Sequence, residues 1–240
     1  MCTLGAVTGR FLFKTRDLWG ESDPFEEIVS RQGRLCYLGL RGQAAPGERG
    51  LNSGINEAGV AVAVTFADTV SLADALAKKT PRGVLVEEIL GRCSDLASAL
   101  RTAAEFQQLP LVGGNIVIMT PQGGAVIEEL YPWYCVEQTV APVTVRTNHF
   151  INLREPAPLK GDREGGLARH RRMVSLLSDG ADVDARQLQA FLADHAGAHP
   201  ICSHAGELTT VSAVIYDLEG RRLNYAPGPP CRTAWQEYRL

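Results

Sequence analysis

Residues 59–66, Gly-Val-Ala-Val-Ala-Val-Thr-Phe, constrain the fold most. The run is apolar at successive positions and rich in β-branched side chains, so as a strand it has no face to turn to water. A chain carrying such a strand must cover its sheet on both sides. Shorter strand signals surround it. Residues 4–7 and 10–13 flank a Thr8-Gly9 turn, and residues 34–40 pair with 50–54 across a Gly/Pro-rich connection. Residues 115–120 and 125–130 flank Pro-Gln-Gly-Gly, 135–138 and 143–147 extend the sheet, and 209–217 with 221–226 make a last hairpin.

Helical patterns fall into two blocks. Thr80 as N-cap and Pro81 at the first helical position open a helix over 83–91. Ser94 is the expected cap of a second, in which Leu96, Ala97, Leu100, Ala103 and Ala104 recur at helical spacing. The second block comprises residues 167–177, with Leu167, His170, Val174 and Leu177 on one stripe, and residues 186–195. Meandering strands with clustered helices predict an α+β fold, helices covering a largely antiparallel sheet system. No linker interrupts the 240 residues, and a single domain over 1–240 is expected.

Composition excludes several functions. A net charge of −3 without a Lys/Arg field gives no footprint for nucleic acid or anionic lipid. No apolar run approaches the roughly 18 residues of a membrane span, and no signal-peptide pattern opens the chain, so a cytoplasmic location is expected. The six cysteines, Cys2, Cys36, Cys93, Cys135, Cys202 and Cys231, show no CxxC or zinc-type spacing. No metal or cofactor is expected, and the five internal cysteines read as small apolar fillers.

Cys2 has chemistry of its own. Its small side chain permits removal of Met1, which leaves a thiol and a free α-amine on one Cα. With an α-amine near a pKa of ~7.7–8.0 and a thiol near ~8.5, one residue supplies a nucleophile and its base. The thiolate would attack an amide or ester carbonyl and form a thioester, which water or an acceptor amine then discharges.

Met1-Cys2-Thr3 leading straight into a hairpin resembles the start of the choloylglycine hydrolase and isopenicillin N acyltransferase group, which includes the acid ceramidase-like amidases. Further landmarks follow in order. Lys14-Thr15-Arg16-Asp17 resembles the Arg-Asn-x-Asp segment closing the first hairpin. Residues 53–62 resemble G-(I/M)-N-E-x-G-L-A, with Asn56 bonding local backbone and Gly59 at positive φ. Residues 114–118 and 126–128 resemble the central hairpin. Thr147-Asn148 resembles the T-N element, and Gly161-Asp162 with Ala168-Arg169-His170-Arg171-Arg172 the G-D-x-S-x-x-S-R-x-x-R run. Ile201-Cys202-Ser203-His204, Thr210-Val211-Ser212 and Gly228-Pro229-Pro230-Cys231 resemble landmarks of the acyltransferase branch.

The resemblance covers Cys2 to about Cys231. It implies a four-layer αββα N-terminal-nucleophile fold of two stacked, mainly antiparallel sheets. It implies a catalytic set of Cys2, Asp17 on the α-amine, Asn148 as an oxyanion donor and Arg169 near the nucleophile. Lys14 stands where the group has Arg, so either Lys14 or Arg16 is the basic partner of Cys2; Ala168 stands where the group has Ser, so one hydrogen bond of the group is missing. Thr65 and His149 are expected to line the site, Arg172 to share the face of Arg169, and His204 to be a satisfied buried histidine. The implied activity is hydrolysis of a small-molecule amide through a thioester, with acyl transfer from a thioester or amide to an amine as the alternative. A catalytically degenerate binding relative is the second alternative. The implied partner is a small amide or thioester, with homo-oligomerisation left open. Substrate-contacting loops are expected at 19–24, 68–80 and 151–166. With only Met1 ahead of Cys2, no autoproteolysis and a single mature chain are expected.

Overall fold

The computed structural model describes residues 1–20, 25–43, 49–67, 80–139, 141–154, 163–178, 182–204 and 208–240. Most of the expected loops 19–24, 68–80 and 151–166, together with Gly161 and Asp162, lie outside the described residues.

Two antiparallel sheets form the centre. The first contains β1 (Leu4–Val7), β2 (Phe11–Trp19), β10 (Val143–Arg146), β11 (Leu208–Asp217), β12 (Arg222–Ala226) and β13 (Gln236–Arg239), in the order β10-β1-β2-β11-β12-β13. The second is a meander of β3 (Phe25–Arg31), β4 (Tyr37–Gln43), β5 (Ser53–Asn56), β6 (Ala61–Thr65), β7 (Gly114–Thr120), β8 (Gly123–Leu130) and β9 (Trp133–Thr139). Helices α1 (Arg82–Arg92) and α2 (Leu96–Phe106) cover the meander, packing on β5 to β8. Helices α3 (Arg163–Leu176) and α4 (Ala185–Leu192) cover the first sheet through β2, β10 and β11. The layers are therefore αββα.

The run at 59–66 behaves as its composition requires. Within β6, Ala61 and Ala63 face the core between the sheets, with Leu4, Leu12, Val117 and Tyr216. Val62 and Val64 face the opposite core under α1 and α2, with Leu85, Ile89 and Ala99. A third core, containing Phe11, Phe13, Met173, Leu188 and Ile215, lies between the first sheet and its helices. Each fully buried Leu, Ile or Phe contributes about 1.5–3 kcal/mol.

Asn56 and Gly59 do what their types suggest. Asn56 Oδ1 accepts from Ala58 N and Val60 N at 3.1 and 3.0 Å, and Gly59 has φ 82°. Asn56 Nδ2 also donates to Leu90 O and Cys93 O at 3.0 and 2.8 Å, satisfying carbonyls at the C-terminal end of α1.

The expected caps are displaced. Pro81 is itself the N-cap of α1 and makes no side-chain cap bond, while Thr80 bridges to Leu111. Asp95, not Ser94, caps α2, in a reciprocal box with Ser98. The stripe on α3 is shifted too. Gly166, Arg169, Met173 and Leu177 are buried, whereas Val174 is exposed. Strands β3 and β13 had no expected counterpart, and both are polar sheet edges. Among the described residues, no helix is long and apolar enough to cross a membrane.

Candidate active site

Strand register brings the candidate residues together. Pairing of β1 with β10 sets Leu4 opposite Arg146, so Cys2 comes opposite Asn148. Pairing of β1 with β2 sets Leu4 opposite Lys14, which brings Met1 level with Asp17. The backbone follows this ladder past the end of β1. Thr15 N donates to Thr3 O at 2.8 Å, Asp17 N to Met1 O at 2.7 Å, and the Met1 amine to Asp17 O. Cys2 is buried, with 9% of its surface exposed.

Asn148 is the hub. Its Oδ1 accepts Cys2 N at 2.9 Å and Arg169 Nη2 at 3.4 Å, and its Nδ2 donates to Phe66 O at 2.8 Å. Donors on one atom and a carbonyl on the other fix which end of the amide is nitrogen. One Nδ2 hydrogen serves Phe66, and an amide nitrogen has a second to give.

The loop carrying Asn148 is clamped from the meander. Thr65 Oγ1 donates to Thr147 O at 2.8 Å. Asn115 Nδ2 donates to Thr65 Oγ1, Thr147 O and His149 O at 3.1, 2.9 and 3.3 Å. Arg82 holds Thr65 O at 2.9 Å. On the far side, Glu128 accepts the successive amides of Ile151, Asn152 and Leu153 at 2.7–2.9 Å and pairs with buried Arg146. His149 Nδ1 lies 2.9 Å from Thr147 Oγ1, and its ring meets that of His170 edge-on, with centroids 5.6 Å apart. Thr65 and His149 thus position the Asn148 loop.

Asp17 is buried beneath the N-terminus. Its carboxylate accepts Thr210 Oγ1 at 2.8 Å and lies 3.4 Å from Thr15 Oγ1. Burial pushes its pKa above the ordinary carboxylate value, opposed by the N-terminal charge, Arg169 and the two hydroxyls. The β-bulge between Thr210 and Ser212 falls beside it.

Lys14 and Arg16 lie on one face of β2 but separate. Lys14 Nζ donates to Val64 O at 2.7 Å. Burial holds its ammonium below the usual lysine pKa, and the largest opposing influence is Cys2. Arg16 instead forms a buried ion pair with Glu26 at 2.7 Å. Arg16 is therefore taken up by Glu26, and Lys14 by the Val64 carbonyl. Arg169 is fully buried, lies 3.4 Å from Met1 Sδ through Nη2, and has no partner for its Nε among the described residues. Arg172 points away, in a bidentate pair with Asp194 at 3.0 and 2.6 Å. His204 is exposed rather than buried and lies against His195.

Sequence reasoning missed Thr15, Asn115 and Arg82 as parts of this site, and gave Thr210 no role. Thr210 stood inside a matched landmark, which was its one signal. Asn115 opens a strand that reads as scaffold, and nothing local marks its side chain as a clamp.

Comparisons with known proteins fit this geometry. No curated protein sequence matches the chain. Solved structures of the same fold include a mutant conjugated bile acid hydrolase from Clostridium perfringens, 13% identical with a TM-score of 0.59, the match covering 100% of this chain and 97% of that one. Penicillin V acylase from Agrobacterium tumefaciens is 11% identical with a TM-score of 0.58, covering 100% and 86%. The Caenorhabditis elegans orthologue of N-acylethanolamine-hydrolyzing acid amidase is 12% identical with a TM-score of 0.60, covering 100% and 99%. The family model described as acyl-coenzyme A:6-aminopenicillanic acid acyl-transferase matches residues 8–231. Fold and family model agree: the chain belongs to the acyl-coenzyme A:6-aminopenicillanic acid acyl-transferase family.

Proposed function

We propose that the chain, as one catalytic domain over 1–240, is a cysteine amidohydrolase that cleaves a small-molecule amide through a thioester on Cys2. The observation that carries this reading is the bond from Cys2 N to Asn148 Oδ1 at 2.9 Å, with Arg169 Nη2 reaching the same oxygen at 3.4 Å. Removal of Met1 turns that amide nitrogen into the α-amine and frees the main chain of Asp17 and the Nη2 of Arg169 that now meet Met1.

The α-amine takes the thiol proton, directly or through water, and sulfur attacks the substrate carbonyl. The C–S bond forms as the carbonyl π pair moves to oxygen. The second Asn148 Nδ2 hydrogen suits this oxyanion, and a fixed neutral donor of this kind is worth roughly 3–4 kcal/mol. We assign Lys14 to neutralising thiolate charge, a role supported by the electrostatic influence of Cys2 on its buried ammonium. Collapse breaks the C–N bond, and the α-ammonium returns its proton to the departing amine. Water, deprotonated by the same amine, then hydrolyses the thioester. An acceptor amine in place of water gives acyl transfer, a second reading favoured by the acyl-transferase family model over 8–231.

The test is a panel of small N-acyl amides and thioesters, run with and without an amine acceptor, on protein whose loss of Met1 is verified by mass. A quenched turnover should leave an acyl mass on the peptide carrying Cys2, absent in Cys2→Ala. Cys202, whose thiol burial pushes up to about 12, should not compete for the label. Undiminished turnover by Cys2→Ala would refute the mechanism, and the free acid to acylated acceptor ratio decides between the two readings.

A further inference from the structure

Apart from the candidate active site, the fold gathers a second set of chemistry-bearing side chains. His195 follows α4, Cys202 and His204 lie on the connection to β11, and Cys231 lies between β12 and β13. One ligand-type atom from each of the four lies within 4.8 Å of all the others. His195 Nε2 and His204 Nε2 are 2.9 Å apart, with rings nearly perpendicular at 80°. Cys202 is buried, and the other three are exposed, so the cluster is open to solvent from one side.

These are the donors that a structural zinc site uses. Two thiolates and two imidazoles satisfy Zn²⁺ in a closed tetrahedron, and two thiolates cancel its charge. Bonds of about 2.3 Å to sulfur and about 2.0 Å to nitrogen set ligand separations of about 3.3–3.8 Å. The two imidazole nitrogens at 2.9 Å are slightly inside that range and no pair is more than 4.8 Å apart, so small side-chain shifts close the shell. An ordinary surface gives no reason for two imidazole nitrogens and two sulfurs from three chain segments to converge.

The residues around the cluster hold it in place, as outer-shell partners of metal ligands do. Cys202 N donates to Asp194 O at 3.0 Å. The Asp194 carboxylate is held by Arg172 and accepts Ala196 N at 3.1 Å. Ser203 N donates to Thr210 Oγ1 at 2.9 Å, and that hydroxyl donates to Asp17. The cluster is thus two hydrogen bonds from the carboxylate under the N-terminus.

We propose that His195, Cys202, His204 and Cys231 form a structural zinc site that ties the C-terminal segments together behind Asp17. Binding releases two thiol protons to solvent and leaves both imidazoles neutral, with no change of oxidation state. The spacing of these residues along the chain matches no zinc motif, which is why the sequence led to the expectation of no metal. The rival fates of the same atoms are a disulfide between Cys202 and Cys231, or plain thiols.

The test uses the full chain, purified under reducing conditions without a histidine tag and loaded with cobalt(II) or zinc(II) alone. The expected result is one zinc per chain by elemental analysis and, with cobalt, a thiolate-to-metal charge-transfer band with intense tetrahedral d–d bands. Both should persist in Cys2→Ala, which excludes the nucleophile as ligand, and be lost in the Cys202→Ser/Cys231→Ser double variant. Wild-type chain that shows no thiolate-to-cobalt band overturns the proposal without relying on any variant's folding. Peptide mapping that finds Cys202 disulfide-bonded to Cys231 in metal-exposed chain overturns it as well.

Discussion

Asn148 joins the two sides of the site with a single carboxamide: one end takes the Cys2 nitrogen and Arg169, the other reaches Phe66. Asn148→Ala should lower kcat about 10²- to 10³-fold with KM less affected, measured by steady-state kinetics on the best substrate of the panel. Lys14 is placed at a cost. Because burial lowers its native pKa, the unfolded chain binds the proton more firmly between that lowered value and 10.5. Stability should therefore rise with pH through that window. Lys14→Met should lose this rise, seen by comparing urea midpoints of the two proteins at about pH 8 and about pH 10. That Cys2, Asp17, Asn148 and Arg169 come together was legible because each sits at a fixed place in a local motif. That Lys14 and Arg16 take separate partners was not, because both share one face of β2 and Glu26, which takes Arg16, lies on the other sheet. Asn115 was hidden for a similar reason: its partners come from β6 and the 147–149 loop, and sequence spacing carries no trace of them.

At the scale of elements, what could be read depended on burial. The strand at β6 was plain because both its faces are apolar. Strands β3 (Phe-Glu-Glu-Ile-Val-Ser-Arg) and β13 (Gln-Glu-Tyr-Arg) were not, since an edge strand half in water lacks an apolar signature and gains from charge. The helix α3 was recognised but rotated, because Arg169 is buried and a stripe drawn through apolar residues passes it by. Helix starts were missed by a residue because Ser94 and Asp95 are both good caps, and only the bond from Ser98 N to Asp95 Oδ1 at 2.7 Å distinguishes them. Asp95→Ala should lower the thermal midpoint by about 2–4 °C and Ser94→Ala should leave it unchanged, by scanning calorimetry.

Across the whole molecule, polar contacts bind one sheet to the other. Glu26 of β3 takes Arg16 of β2 at 2.7 Å, Ser212 of β11 at 2.9 Å and Tyr225 of β12 at 2.9 Å, while Tyr216 of β11 donates to Ser53 of β5 at 2.8 Å. Arg16→Met leaves the Glu26 carboxylate buried without its cation and should destabilise the chain by about 3–5 kcal/mol, read from denaturant titration, with kcat of the folded fraction largely kept. The strand order has a temporal consequence as well. Strand β1 is made well before its neighbour β10, and β2 well before β11, which encloses it. Until those late segments are made, Asn148 is not there to take the Cys2 nitrogen, nor Thr210 to take the Asp17 carboxylate. In the folded chain Cys2 is buried and the main chain of Met1 is bonded to Asp17. On the proposed mechanism an aminopeptidase must therefore reach Met1 before these contacts close, and a chain that folds untrimmed keeps Met1 bonded to Asp17 next to the proposed nucleophile.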